Sequence, residues 1–311
     1  MTPSTKQLFA VLVLLNACGP AEQRALDDVQ ASLRRHAREL STSTAALCAA
    51  APTHGWSSTK DAAALGTMRA QWAQARRAWE AAEGAVAPLF PDLDEALDGR
   101  FEGAVEQHPD VDLLDAHGFT GLHAVERVLW ADAVPAAATR FEQGLGTAWV
   151  APSFPADDAQ AATFRGGLCA QLVADAASLE AQVGPLQLDT AAAFHAVFGS
   201  VEEQLEKTTD AARGAEESRY ARTTLDDMRA NLEASRAGFR AFRPWLEELG
   251  QAALATRVEA GFARLAAAYA AVPGASLPDA PAGWSPAAER TSPFGALYGV
   301  VADETDLKRE G

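Results

Sequence analysis

From about Ala21 to Ala50 the apolar residues Leu26, Val29, Leu33, Leu40 and Leu47 return every three, four or seven positions, the rhythm of one helix face. Pro52 stops that helix, Gly55 relaxes the turn, and Ser57, Ser58 or Thr59 can cap the next element. A long second helix follows, with Leu65, Met68, Trp72, Ala75, Trp79 and Ala82 stepping by three and four as a bundle seam does. Pro88 and Pro91 are expected to break it, and Asp92 to Arg100 restarts a short helix. Residues 102–118 read as an acidic loop, and the next helix runs to about Asp132 before Pro135 ends it. Ala136 to Trp149 suits one more short helix, and Pro152 and Pro155 mark the clearest linker. Beyond it, helices are expected over Ala156–Val183, Thr190–Thr209, Glu217–Glu248 and Gln251–Val272, with turns at Gly184-Pro185 and Gly214. No run alternates apolar and polar residues in the way of a half-buried strand, so the fold class is all-α. Two runs of helices flanking a linker predict two helical bundles, over 18–150 and 151–275, followed by a Pro/Gly-rich tail at 276–311.

Composition narrows the function classes. At 311 residues and 48% hydrophobic content, the chain can bury one large core or two modest ones. A formal net charge of −16 with no basic stripe argues against nucleic acid as a partner. Residues 1–17 read as a signal peptide: Lys6 precedes the apolar run Leu8–Leu15, too short to remain as a membrane span. The run ends in Leu15-Asn-Ala-Cys18, similar to a bacterial lipobox. Cys18 is therefore expected to carry lipid, the only attachment of the protein to a membrane, and Gly19 after it favours the outer membrane. Cys48 and Cys169 then remain in an oxidising compartment, as one disulfide or as two buried thiols.

The segment Gly118-Phe-Thr-Gly-Leu-His-Ala-Val-Glu-Arg-Val-Leu-Trp130 carries the candidate chemistry. His123 and Glu126 stand three residues apart on a helix whose other positions are Leu122, Val125, Val128 and Leu129. An imidazole and a carboxylate on such a surface need hydrogen bonds, an opposite charge or a bound cation. One reading is a structural pair neutralised by Arg100 or Arg127; the other is two ligands of a metal. His36 and Glu39 share the spacing, but among Arg34, Arg35 and Arg38 they read as an exposed face. Glu83, Asp92 and Asp94 read as capping and surface residues. His-Glu-x-x-His, paired Glu-x-x-His, Gly-x-Ser-x-Gly, Walker and dinucleotide fingerprints are all missing from the sequence.

Three stretches taken together resemble the imelysin-like family, marked by Gly-x-His-x-x-Glu. They are Trp79-Glu-Ala-Ala-Glu83, Pro88-Leu-Phe-Pro-Asp-Leu-Asp-Glu-Ala-Leu-Asp-Gly-Arg100 and Phe119 to Glu126. Gly214-Ala-Glu-Glu-Ser-Arg-Tyr220 is similar to a Gly-Glu-Glu-x-x-Tyr turn of its EfeO/EfeM branch, with Ala215 a departure. The resemblance implies two related four-helix bundles and a metal held by His123, Glu126, Asp98 and Glu80. One nitrogen and three oxygens suit Fe²⁺, Mn²⁺ or Zn²⁺, with Fe²⁺ favoured by the branch. It further implies a periplasmic protein that captures iron for an inner-membrane permease. Some relatives are linked to acidic polysaccharide, and the family takes its name from a proposed metallopeptidase. Four protein ligands without an evident general base favour binding over turnover.

Overall fold

A computed structural model of the protein describes residues 19–107, 113–146, 149–287 and 290–306; the expected signal peptide and Cys18 lie outside them. The helices are α1 (Pro20–Ala49), α2 (Ala62–Leu89), α3 (Pro91–Asp98), α4 (Phe101–Gln107), α5 (Gly121–Leu129) and α6 (Ala136–Gly144). They continue with α7 (Asp158–Gly166), α8 (Leu168–Val183), α9 (Thr190–Ala212), α10 (Thr224–Glu248), α11 (Ala252–Ala271) and α12 (Pro293–Asp306). Among the described residues there is no strand, and no helix is long and apolar enough to cross a membrane.

Two cores organise these elements. The first lies among α1, α2, α5 and α8 and is built on Leu40, Leu47, Trp72, Trp79, Leu122, Val125, Leu172 and Leu179. Every one of these is at most 1% exposed, as a seam of apolar residues at helical spacing requires. Trp72 joins α2 to α5 twice. Its indole N–H donates to the Leu122 carbonyl at 2.9 Å, and its ring meets Trp130 edge-on at 5.1 Å. The second core lies among α9, α10, α11 and α12, around Val201, Met228, Phe239, Phe262, Leu265 and Val301. Helices α1 and α2 also pack against α10, and α2 packs against α9, so the two bundles share a wall.

Most helix ends fall within a few residues of the sequence reading, and the exceptions have physical causes. Helix α2 runs through Pro88 to Leu89: the proline lacks one ladder donor, and the ladder resumes with the Phe90 N–H donating to the Val86 carbonyl at 2.7 Å. The stretch Ala156–Val183 is two helices rather than one. Asp157 caps α7 by accepting from the Gln160 amide at 2.9 Å, and the chain bends at Gly167, where a Cβ would lie 2.8 Å from Asp115 Cα. Residues 217–223 form a turn, and α10 begins only at Thr224.

The bundle boundary also moves. Helices α7 and α8 pack into the first core through Ala161, Phe164, Leu172 and Leu179, so the second bundle begins near Thr190 and not at residue 151. The Pro152/Pro155 linker is a connection within the first bundle. The 276–311 segment carries α12, whose Leu297 and Val301 enter the second core while Phe294 and Tyr298 pack on Trp284.

Cys48 of α1 and Cys169 of α8 are joined by a disulfide across 121 residues, within the first bundle and not between the two. A cross-link closing so long a loop stabilises by about 5 kcal/mol on loop-closure grounds. Reduction of this bond is expected to lower the unfolding free energy of the first bundle by that amount, read as a fall in its urea midpoint. Equal midpoints for the oxidised protein and for the Cys48→Ala, Cys169→Ala double variant would show that the bridge adds nothing.

Candidate metal centre between the two bundles

Two glycines let the backbones come close enough to build the site. Gly121 opens α5 with φ +85°, and a Cβ there would lie 2.6 Å from the Leu97 carbonyl and 2.7 Å from that of Ala96. Only glycine combines that backbone conformation with that contact. The end of α3 therefore abuts the start of α5, and Asp98 stands beside His123. Gly84 plays the same part between α2 and α9, where a Cβ would meet Ser200 Oγ at 2.3 Å and the Ala196 carbonyl at 2.5 Å. This close approach brings Lys207 of α9 to Glu80 and Glu83 of α2.

Around His123 the geometry is directional. Its Nδ1 bonds Glu126 Oε2 at 3.1 Å, and the other oxygen of Glu126 accepts the backbone N–H of Tyr220 at 2.9 Å and of Ala221 at 2.8 Å. Glu126 thus fixes the imidazole on one side and the 217–223 turn on the other. The opposite nitrogen, Nε2, is buried, lies 3.3 Å from Asp98 Oδ1, and makes no well-directed hydrogen bond. Neither carboxylate oxygen of buried Glu217 accepts a well-directed hydrogen bond either. Ligand atoms of Asp98, His123 and Glu217 all lie within 4.8 Å of one another, and so do those of Glu80, Glu83 and Glu217.

Cations of the chain itself lie among these groups. The buried guanidinium of Arg76 pairs with Asp98 and Glu80, with Glu217 at 2.6 Å and with Asp227 at 3.6 Å. The Lys207 ammonium reaches Glu80 at 2.6 Å, Glu217 at 3.0 Å, Glu83 at 3.2 Å and Glu203 at 3.5 Å. Asn231 fills the remaining corner, donating to the Glu80 carbonyl at 2.7 Å and to Glu83 Oε2 at 3.1 Å. Six carboxylates therefore surround Arg76 and Lys207, with Arg100 3.7 Å from Glu217 at the margin. Even with His123 charged, negative groups are in excess.

That excess shows in the proton affinities. Burial, with Glu83 and Glu217 nearby, pushes the Glu203 carboxyl up to about 10 despite Lys207. Burial likewise holds Glu80 well above the carboxylate range and Asp227 at about 6, against the pull of Arg76. Glu217 goes the other way: Lys207 and Arg76 overcome its burial and bring it down to about 2. Asp98 is also held below its ordinary range, where Arg76 and His123 outweigh burial. Burial and Arg76 depress the His123 imidazolium, but Asp98 and Glu126 prevail and raise it to about 9. The cluster holds more carboxylates than its own cations satisfy, and protons fill the gap.

Of the four expected ligands, the structure brings His123 and Asp98 to one point and adds Glu217. Glu80 falls in the neighbouring group with Glu83, where Arg76 and Lys207 occupy it. Glu126 stands behind His123 with both oxygens hydrogen-bonded, one to the imidazole and the other to the Tyr220 and Ala221 amides, so it orients the ring. Arg127 does not neutralise Glu126: it pairs with Glu142 at 3.1 Å, donates to the Tyr220 hydroxyl at 3.0 Å and lies over the Phe101 ring. Glu83 is buried in the cluster, not on the surface. His36 and Glu39 pair at 3.2 Å on α1 far along the chain from this cluster; Glu39 is exposed, but His36 is half-buried. The residues the sequence reading missed are Glu217, Arg76, Lys207 and Asp227. Glu217 had a signal, since it sits in the Gly214–Tyr220 stretch.

Residues 25–292 match the imelysin family, peptidase M75. The chain belongs to the imelysin family. A crystal structure of an imelysin-like protein from Psychrobacter arcticum 273-4 superposes with a TM-score of 0.61 over 94% of each chain, at 14% sequence identity. That identity speaks for the all-α imelysin-like fold alone. Comparison with curated proteins returns no match. In this chain Gly121, His123 and Glu126 do different work. Gly121 admits α3, His123 presents Nε2, and Glu126 orients the ring and holds the turn from the second bundle.

Proposed function

We propose that this imelysin binds one divalent cation at Asp98, His123 and Glu217, and that it is a lipid-anchored periplasmic protein of the EfeO/EfeM type. On this reading it is tethered through Cys18 to the outer membrane and captures iron for an inner-membrane permease. The observation that carries the cation reading is His123 Nε2, buried and aimed with Asp98 and Glu217 while Glu126 fixes Nδ1. A carboxylate behind the far nitrogen of a histidine is the usual support of a metal-binding imidazole. One nitrogen with carboxylate oxygens suits Fe²⁺, Mn²⁺ or Zn²⁺. A doubly charged ion also offsets the carboxylate excess that protons otherwise fill.

Arg76 shapes the affinity. It already pairs with Asp98, Glu80 and Glu217, so an arriving cation competes with a guanidinium tethered in place. Such competition suits reversible capture and handover better than permanent retention. The family's peptidase designation makes hydrolysis the rival reading. Burial tells against it: His123 is 4% exposed, Glu217 3% and Glu80 0%, so a peptide bond reaches this centre only if the two bundles part.

Equilibrium dialysis against Fe²⁺ (without oxygen), Mn²⁺ and Zn²⁺ tests the proposal. About one ion per chain is expected, with affinity at least tenfold lower in Glu217→Gln, which keeps the side-chain shape and removes the charge. No bound ion in the parent protein, or equal affinity in the variant, would dispose of the site. Metal-dependent cleavage of casein by the parent would transfer the reading to the peptidase.

A further inference from the structure

On the face of the second bundle remote from His123, α9, α10 and α11 leave a groove of about 1050 Å³ that the cation site does not use. Its floor and walls are Phe194, Phe198, Phe239, Phe262, Leu246 and Leu254. Phe194 and Phe198 stack at 5.9 Å, and Phe262 lies 5.8 Å from Phe239 and 6.5 Å from Phe198, giving a continuous aromatic lining. Ligand cavities of roughly 300–1,000 Å³ are ordinary, so this one has room for a long flexible chain. Leu254 of the lining is 39% exposed, and Leu249 in the turn between α10 and α11 is 55% exposed. An aromatic trough with an exposed leucine in its lining presents an apolar surface to what meets it.

The rim supplies a charge. Arg257 and His195 line the groove, and neither has an ion-pair or hydrogen-bond partner among the described residues. The other cation at the rim, Arg264, is paired with Glu304, and Glu202 also has a partner. An exposed arginine beside a phenylalanine trough, with no partner among the described residues, offers its charge to an anionic end group. Gly19, next in sequence to the lipid-bearing Cys18 of the proposed anchor, lies against Glu248 at the end of α10. The start of α1 therefore lies beside the end of α10, the helix that gives Leu246 to the groove lining.

We infer that this groove binds a single-chain anionic amphiphile of the fatty-acid class, with its alkyl chain along Phe194, Phe198 and Phe262 and its carboxylate at Arg257. The inference is independent of the cation site. Titration of the purified protein with saturated fatty acids of eight to fourteen carbons, below their micellar concentrations, tests it. One-to-one binding is expected, tightening roughly three- to fourfold for each methylene added. Arg257→Glu and Leu254→Asp, both at exposed positions that the fold tolerates, should each weaken dodecanoate at least tenfold. They should leave cation binding unchanged. The methyl ester should bind the parent more weakly than the acid does, and its affinity should be the same for the parent and for Arg257→Glu, because it carries no charge. Absence of saturable binding at every chain length, or binding untouched by both substitutions, would overturn the inference. Sedimentation showing a dimer that Leu254→Asp dissociates would overturn it too, by making the groove a contact between copies of the chain.

Discussion

His123→Ala is expected to reduce divalent-cation affinity by more than the roughly 10–100-fold that follows loss of an outer-shell partner, because in the proposed site it removes a ligand atom outright. The nitrogen it deletes is Nε2, which lies 3.3 Å from Asp98 in the group formed with Glu217. The helices should persist. The first core rests on Leu40, Trp72, Trp79, Leu122, Val125 and Leu172, none of which touches the imidazole in an ion pair or hydrogen bond. Some stability is lost, because Glu126 Oε2 is left buried without its partner. His36→Ala is the control: its pair with Glu39 sits on α1 and should be silent for the ion. Calorimetric titration with Mn²⁺, together with far-ultraviolet circular dichroism, reads both quantities. Parental affinity in the His123→Ala protein would make the motif structural and the function something else.

The contrast between what was legible and what was not follows from the range of the interactions. Helix faces are written locally, at three and four residues, so α1, α2 and α9 to α11 can be read from their Leu, Trp and Phe rhythm. Bundle membership is not local. The Pro152/Pro155 stretch looks like a domain linker, yet α8 returns to the first core because Leu172 and Leu179 face Leu40 and Leu47, over 120 residues earlier in the chain. A tail rich in proline and glycine likewise hides α12, whose Phe294 and Val301 reveal themselves only against the second bundle. In the site, the spacing of His123 and Glu126 gave their common face but not their division of labour. That division depends on the Tyr220 and Ala221 amides, nearly a hundred residues away. Arg76 and Lys207 were silent for a further reason. A lone basic residue on a helix looks like a solvated one until its carboxylate partners are assembled from other helices.

Glu126 offers the strongest test of that division, because a ligand and a positioning residue respond differently to two substitutions. Glu126→Ala removes a fully buried carboxylate and leaves three donors without an acceptor: the Tyr220 and Ala221 amides and the His123 Nδ1–H. Removing one member of a buried, hydrogen-bonded charged network typically costs about 3–5 kcal/mol. The urea midpoint should fall accordingly, with the 217–223 turn the first element to lose protection in amide hydrogen exchange. Glu126→Gln is the informative partner. Its carbonyl oxygen can still accept the two amides, so the turn should hold and stability should fall by much less. Its NH₂ then faces His123 Nδ1 and favours a ring with the proton on Nε2, the atom aimed at Asp98 and Glu217. Cation affinity should drop about 10–100-fold, as for other outer-shell changes, while the protein stays folded. If Glu126 instead held the ion directly, Glu126→Gln would abolish binding as fully as His123→Ala does. Equal loss in those two folded variants is the result that would return Glu126 to the ligand set and undo the geometry argued for the centre.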